Sequence, residues 1–219
     1  YIIAQARYFR AFAYRNLGEL FGGVPLVTEM TTKARYDFER TTRMETYQFA
    51  IDEMEAILND LPVTTADAGR IVRAAAQHNL CQLYIDKGVL SEAEGGNAAA
   101  AYNKALAYAN DIIESGTYSL MTERYGARKN ENPKFYYASS AVDQTEDHTY
   151  ESAGYLLEGN VYWDLFQVGN QDYQDGNREA IWCIQSDYDV FKSDGIYACL
   201  DYPALYGPVF RDQAAAHLT

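Results

Sequence analysis

Apolar residues recur three or four positions apart through the first 120 residues, and a chain patterned in this way folds as packed helices. The clearest series is Met44, Tyr47, Ile51, Met54, Leu58 and Leu61, with intervals of 3, 4, 3, 4 and 3. Thr42 and Glu45 precede it at capping-box spacing, where a hydroxyl and a carboxylate satisfy free backbone N–H groups at a helix start. Pro62 ends the run. Upstream, Ile2, Ala6, Phe9, Ala13, Leu17 and Leu20 form one continuous face of a first helix, stopped by Gly22-Gly23 and Pro25. Ala4, Tyr8, Ala11 and Phe12 add apolar surface on another side, so this helix is expected to be sandwiched between neighbours.

A third helix is expected from about Arg70 to Lys87, with Ala74, Ala75 and Ala76 allowing a neighbour to approach closely. Gly88 sits where a left-handed C-terminal cap would fall. A fourth helix follows over about Ala98 to Ser115, with Tyr102, Leu106, Ala109 and Ile113 inward and Gly116 as its stop. Paired helices with alanines at their crossings are tetratricopeptide-like, although the loop Val89 to Asn97 stretches the repeat period. Past Tyr118 the periodicity lapses, except for a short apolar stretch at Tyr162–Phe166. Ala180–Ile184 reads as a strand or a short extended segment, and residues from Asp187 onward read as ordered loop. The expectation is a mostly α protein: a tetratricopeptide-like scaffold over residues 1–120 and an irregular, Tyr-rich ligand-binding portion over 121–219.

Charge and motif content narrow the function. Lysine and arginine number 18 against 31 acids, for a net charge of −13, and such a surface repels phosphate backbones, so nucleic acid is not an expected partner. No apolar run reaches the roughly 18 residues of a membrane span. Cys81, Cys183 and Cys199 are odd in number and form no CxxC pair, which disfavours a disulfide framework or a structural zinc site. GxSxG, HExxH, P-loop and GxGxxG motifs are missing, and the carboxylates read as a solvated surface, so no enzyme is expected. His78 and Cys81 read as a packed core pair on the third helix. Asn170, Asp172 and Asp175-Gly176 have the composition of a calcium loop. The glycine is one place off, and position twelve is not glutamate. No metal and no cofactor are expected. The chain opens Tyr1-Ile2-Ile3-Ala4-Gln5 with neither methionine nor a basic leader, which reads as a fragment whose targeting segment lies upstream.

Tyrosine is over-represented, with 20 residues. At least half are expected in the helical core; the rest combine a flat apolar face with a polar tip, which suits sugars or peptides. Tyr150, Tyr155, Tyr162 and Trp163 lie among polar residues, as do Tyr188, Tyr197, Tyr202 and Tyr206. For Tyr162 and Phe166 the favoured reading is packing of a short helix onto the repeats.

Six segments in order resemble the SusD/RagB family of surface-exposed, nutrient-binding outer-membrane lipoproteins. They are Ala6-Arg7-Tyr8-Phe9-Arg10-Ala11-Phe12-Ala13-Tyr14, Leu20-Phe21-Gly22-Gly23-Val24-Pro25-Leu26-Val27, and Tyr47-Gln48-Phe49-Ala50-Ile51-Asp52-Glu53-Met54 through Leu61-Pro62. The others are Gly69-Arg70 opening an alanine-rich helix to Lys87-Gly88, Ile112-Ile113-Glu114-Ser115-Gly116-Thr117-Tyr118-Ser119-Leu120, and Asn177-Arg178-Glu179-Ala180-Ile181-Trp182-Cys183-Ile184-Gln185. The last is similar to the family's "NEVIF-x-IQ" strand, with Arg178 inserted and Trp182 for Phe. Residues 126 to 160 depart from the pattern as an insertion would.

The resemblance implies a SusD-like α–α superhelix, and a central piece of a protein more than twice as long. It implies non-catalytic capture of an oligosaccharide at the surface of a Gram-negative bacterium, and delivery to a SusC-like TonB-dependent outer-membrane transporter. Contact with the membrane would run through an N-terminal lipid anchor absent from this chain. Peptide capture by the same architecture is the alternative, and a glycoside hydrolase a further one. Family ligand aromatics come partly from loops after the "NEVIF" strand, which favours Tyr188, Tyr197 and Tyr202; Tyr206 and Trp163 complete the candidate set.

Overall fold

Thr42 caps α2 (Arg43–Glu55) through the expected reciprocal pair: the Glu45 amide donates to Thr42 Oγ1 at 3.1 Å, and the Thr42 amide donates to Glu45 Oε2 at 2.8 Å. Tyr47, Ile51 and Met54 are buried as their spacing predicts, and a 3-10 turn at Leu58–Asp60 carries the chain to buried Leu61. The computed structural model describes residues 1–132, 134–136, 154–156, 158–167 and 169–185, the short strands at 134–136 and 154–156 by their backbone. The chain divides into two compact units, Tyr1–Cys183 and Ile184–Thr219; everything below concerns the first.

α1 (Ile2–Phe21) pairs with α2, α3 (Arg73–Ala93) pairs with α4 (Ala99–Glu114), and α2 packs on α3. This gives two helical hairpins in succession, a tetratricopeptide-like arrangement. Among the described residues no helix is long and apolar enough to cross a membrane.

α1 is not sandwiched. Its buried residues are Ala4, Tyr8, Ala11, Tyr14 and Gly18, whereas Ile2 and Leu20 are 78% and 75% exposed, and Phe9 also faces out. The inward face is the one with small residues, which let α2 and α3 come close, and with a polar group that finds a partner. Asn79 Nδ2 donates to the fully buried Tyr8 hydroxyl at 2.8 Å, while Asn79 Oδ1 accepts from Arg15 at 2.7 Å. Between α1 and α2, Glu53 accepts from Arg7 Nη2 at 2.9 Å and from Arg10 Nε at 2.9 Å.

α3 begins three residues later than expected, at Arg73, and runs on to Ala93. Gly88 is therefore no cap. It is buried inside the helix where α4 crosses, and a Cβ there would stand 2.4 Å from Tyr102 Cε1. Gly95 (φ 77°) takes the left-handed position instead. On α4, Ala101 and Ala105 are the buried residues, with Tyr108 and Ile112 packed beside the core. The expected inward residues Leu106 and Ile113 face out instead, because α4 meets α3 through Ala101, Ala105 and Tyr108, with the Tyr102 ring against Gly88. Tyr84 from α3 and Tyr108 from α4 both donate to Glu55 Oε1, each at 2.8 Å, joining three helices at one oxygen. Burial, then the hydrogen bond and charge of Glu55, hold both phenols above the ordinary tyrosine range.

Beyond α4 the described residues are mostly irregular and include a two-stranded antiparallel pair, β1 (Lys134–Tyr136) and β2 (Gly154–Leu156), with Phe135 opposite Tyr155. Among the described residues, Ala180–Cys183 forms no strand. Its Trp182 is inserted instead among Tyr8, Phe9 and Phe12, with ring centroids 5.9–6.1 Å apart, and donates Nε1–H to the Gly69 carbonyl at 2.9 Å. Cys81 packs on the core while His78 is exposed, so the two do not form the expected core pair.

Two outcomes follow from this packing. A Cβ on Gly23 would lie 1.7 Å from the Thr41 carbonyl oxygen, a backbone atom. Gly23→Ala should therefore destabilise the protein by about 1–3 kcal/mol, or more if the loop cannot shift, read as a lower urea midpoint at unchanged slope. Burial alone would raise the Glu53 pKa, but Arg7 and Arg10 outweigh it and hold the carboxyl below its ordinary value. A carboxylate depressed in the folded state stabilises above its unfolded pKa of about 4.3, and that contribution is lost as pH falls through the folded value. Urea titrations across that window should show Glu53→Gln shrinking the stability gap to wild type as the pH drops.

Candidate ligand-binding site

The described residue of the predicted site set is Trp163; Tyr188, Tyr197, Tyr202 and Tyr206 lie outside the described residues, as does Tyr150. Trp163 sits on α5 (Val161–Leu165), a single turn capped by Asn160, whose Oδ1 accepts from the Trp163 amide at 2.9 Å. One turn cannot hold itself in water, so its position comes from tertiary bonds.

Asp164 supplies them. It is fully buried, and its Oδ2 accepts from Arg124 Nε at 2.6 Å and from the Tyr125 amide at 3.1 Å. Arg124 also donates to the Glu131 carbonyl at 2.9 Å. Buried Asn170 donates to the Asp164 carbonyl at 2.9 Å, and the Tyr125 hydroxyl donates to the Asn170 carbonyl at 2.9 Å. A Cβ on Gly126 (φ 79°) would stand 2.0 Å from Asn170 Oδ1, so only glycine leaves room for that side chain. A buried ion pair completed by backbone bonds fixes geometry more than it adds stability.

Above this base, the Trp163 ring is half-buried, with the Arg124 and Arg128 guanidiniums 5.4 and 5.1 Å from its centroid. Each guanidinium also meets a carboxylate: Arg124 meets Asp164, and Arg128 meets Glu131 at 2.8 Å. Trp163 is thus engaged within the protein through cation–π contacts. Its helical neighbours are not. Tyr162 and Phe166, one turn apart, are 72% and 65% exposed, with centroids 5.0 Å apart and planes at 63°. They do not pack α5 onto the repeats as expected, because Asp164 and Trp163 occupy the inward side of that turn. Arg124 and Arg128, more than thirty positions upstream, were not singled out by sequence reasoning, since a contact at that separation leaves no periodic signal.

The loop at 170–176 also differs from a metal site. The Asp172 amide donates to Asp175 Oδ2 at 3.3 Å at the start of a 3-10 turn, Tyr173–Asp175, and Gly176 (φ 97°) closes it. Its acidic residues serve a capping box, and among the described residues no group of three or more His, Cys, Asp or Glu could hold a metal ion.

No protein-family model matches the sequence, and no curated protein matches it. Solved structures do. A SusD-like protein from Bacteroides fragilis matches with a TM-score of 0.54 at 17% identity, over 86% of this chain and 28% of that one. A crystal structure with a xylogluco-oligosaccharide matches with a TM-score of 0.51 at 25% identity, over 56% of this chain and 25% of that one. The chain thus spans about a quarter of the length of the structures it matches. Helical hairpins in succession, a segment docked on them by Trp182, and these likenesses agree with the motifs in the sequence: the chain has a SusD-like helical fold.

Proposed function

We propose that this chain belongs to a non-catalytic glycan-binding protein, which captures oligosaccharide at the outer-membrane surface and passes it to a SusC-like TonB-dependent transporter. The observation that carries the reading is the likeness, at 25% identity, to a structure with a xylogluco-oligosaccharide, in a chain whose irregular portion presents exposed aromatic rings. Residues 1–120 act as the scaffold and 121–219 as the ligand-binding portion, with Tyr188, Tyr197, Tyr202 and Tyr206 as contacts there. A sugar presents an apolar C–H face edged by hydroxyls, so flat rings supply stacking and neighbouring polar groups supply direction. The paired helices offer a broad surface to the extracellular loops of a barrel. An N-terminal lipid on the protein would hold it at the membrane.

A glycan panel tests this directly. Binding should be detected for at least one oligosaccharide class and should fall on combined Tyr→Ala replacement at 188, 197 and 202, with no release of reducing ends. Binding to mixed peptides without any glycan signal would favour the peptide reading, and new reducing ends would favour a hydrolase. Detergent extraction should recover a large barrel protein in near-equal amount; extraction alone would leave a free surface binder.

A further inference from the structure

The exposed ring pair on α5 has a use that the helix itself does not require. Tyr162 and Phe166 contribute nothing to the base that holds the turn: that work falls to Asn160, Asp164, Arg124 and Asn170. Two large rings left 72% and 65% exposed on a rigidly anchored turn form a surface patch of the kind that marks binding. We infer that Tyr162 and Phe166 form a stacking platform for a neutral pyranose unit of an oligosaccharide, with Trp163 as a positioning residue beneath it. This rests on the glycan-capture reading and moves the contact from Trp163 to its neighbours.

Three observations select this occupant. The rings meet at 63° with centroids 5.0 Å apart, so they form a corner with two differently directed faces, on the scale of one or two sugar rings. Two side chains fall far short of the roughly 800 Å² per partner that a stable protein interface needs. The two guanidiniums over Trp163, those of Arg124 and Arg128, already face Asp164 and Glu131. With a net charge of −13 over the chain, an acidic sugar or an anionic membrane gains little from those two cations and meets overall repulsion. A neutral sugar loses nothing on either count. The anchored base also matters, since a platform fixed before binding avoids the entropy of ordering it.

The test is affinity electrophoresis and calorimetry on the whole chain with xyloglucan oligosaccharides, other neutral glucans and mannans, pectic oligosaccharides and a mixed peptide pool. The variants are the double replacement Tyr162→Ala with Phe166→Ala, and Phe166→Tyr as the conservative control. The double variant should bind the neutral glycan at least about tenfold more weakly at an unchanged melting temperature, with Phe166→Tyr close to wild type. If wild type binds glycan and the double variant binds equally well, the platform is wrong while glycan capture stands, carried by other residues. A preference for pectic fragments, or a peptide signal lost in the double variant, overturns the neutral-sugar assignment. If wild type binds no glycan at all, both the platform and the function it rests on fail.

Discussion

Trp182 is the contact on which the placement of the irregular portion depends. The helical hairpins carry their own core, but the described residues between 119 and 185 form little regular structure: one short helical turn, two 3-residue strands and a 3-10 turn. Such a segment cannot bury enough surface to fix its own position. Burying an indole against Tyr8, Phe9 and Phe12, with its N–H satisfied by Gly69, supplies that fixing from the scaffold. The Ser119 amide then donates to the Arg178 carbonyl at 3.1 Å, and the Met121 amide to Glu179 Oε1 at 2.8 Å, so the start and end of the segment are held beside each other. The scaffold is in this sense the element from which the described loop residues up to Cys183 take their positions.

Period was legible in the sequence; facing was less so. The capping box at Thr42 and the inward residues of α2 were read correctly, because α2 has one apolar row and a local stop and start. α1 and α4 each carry two candidate rows, and in both the inward row mixes small residues with tyrosine: Ala4, Tyr8, Ala11 and Tyr14 on α1, and Ala101, Ala105 and Tyr108 on α4. Aliphatic content alone misleads there, since small residues beside a ring let helices approach while the ring finds a polar partner. Gly88 misled in a related way. A glycine after a run of helix formers reads as a cap, but here its missing side chain makes room for the Tyr102 ring. For Ala180–Ile184 the sequence suggested a strand or a short extended segment; at 180–183 no strand forms, and Trp182 enters an aromatic cluster that no local pattern announces.

The candidate site shows a sharper limit. Trp163 stood out because it lies among polar residues, and its half-buried ring carries Arg124 and Arg128 beside it. Which of three adjacent aromatics faces solvent is decided by Asp164, the residue between them that is drawn inward to meet Arg124. That pairing joins positions forty apart, and nothing local to α5 announces it.

The fork at Glu55 has a consequence for the shape of the superhelix. In most helical repeats the opening angle between successive hairpins is set by interlocking apolar side chains, and it drifts as those side chains are exchanged. Here Tyr84 and Tyr108, their rings stacked with centroids 6.0 Å apart, converge on one carboxylate oxygen at the end of α2. Hydrogen bonds are directional where apolar contact is not, so the first hairpin is pinned to the second at a point. Three polar atoms thus fix one point between the hairpins beside the apolar packing of α2 on α3, so the step from one hairpin to the next is set by direction as well as by fit.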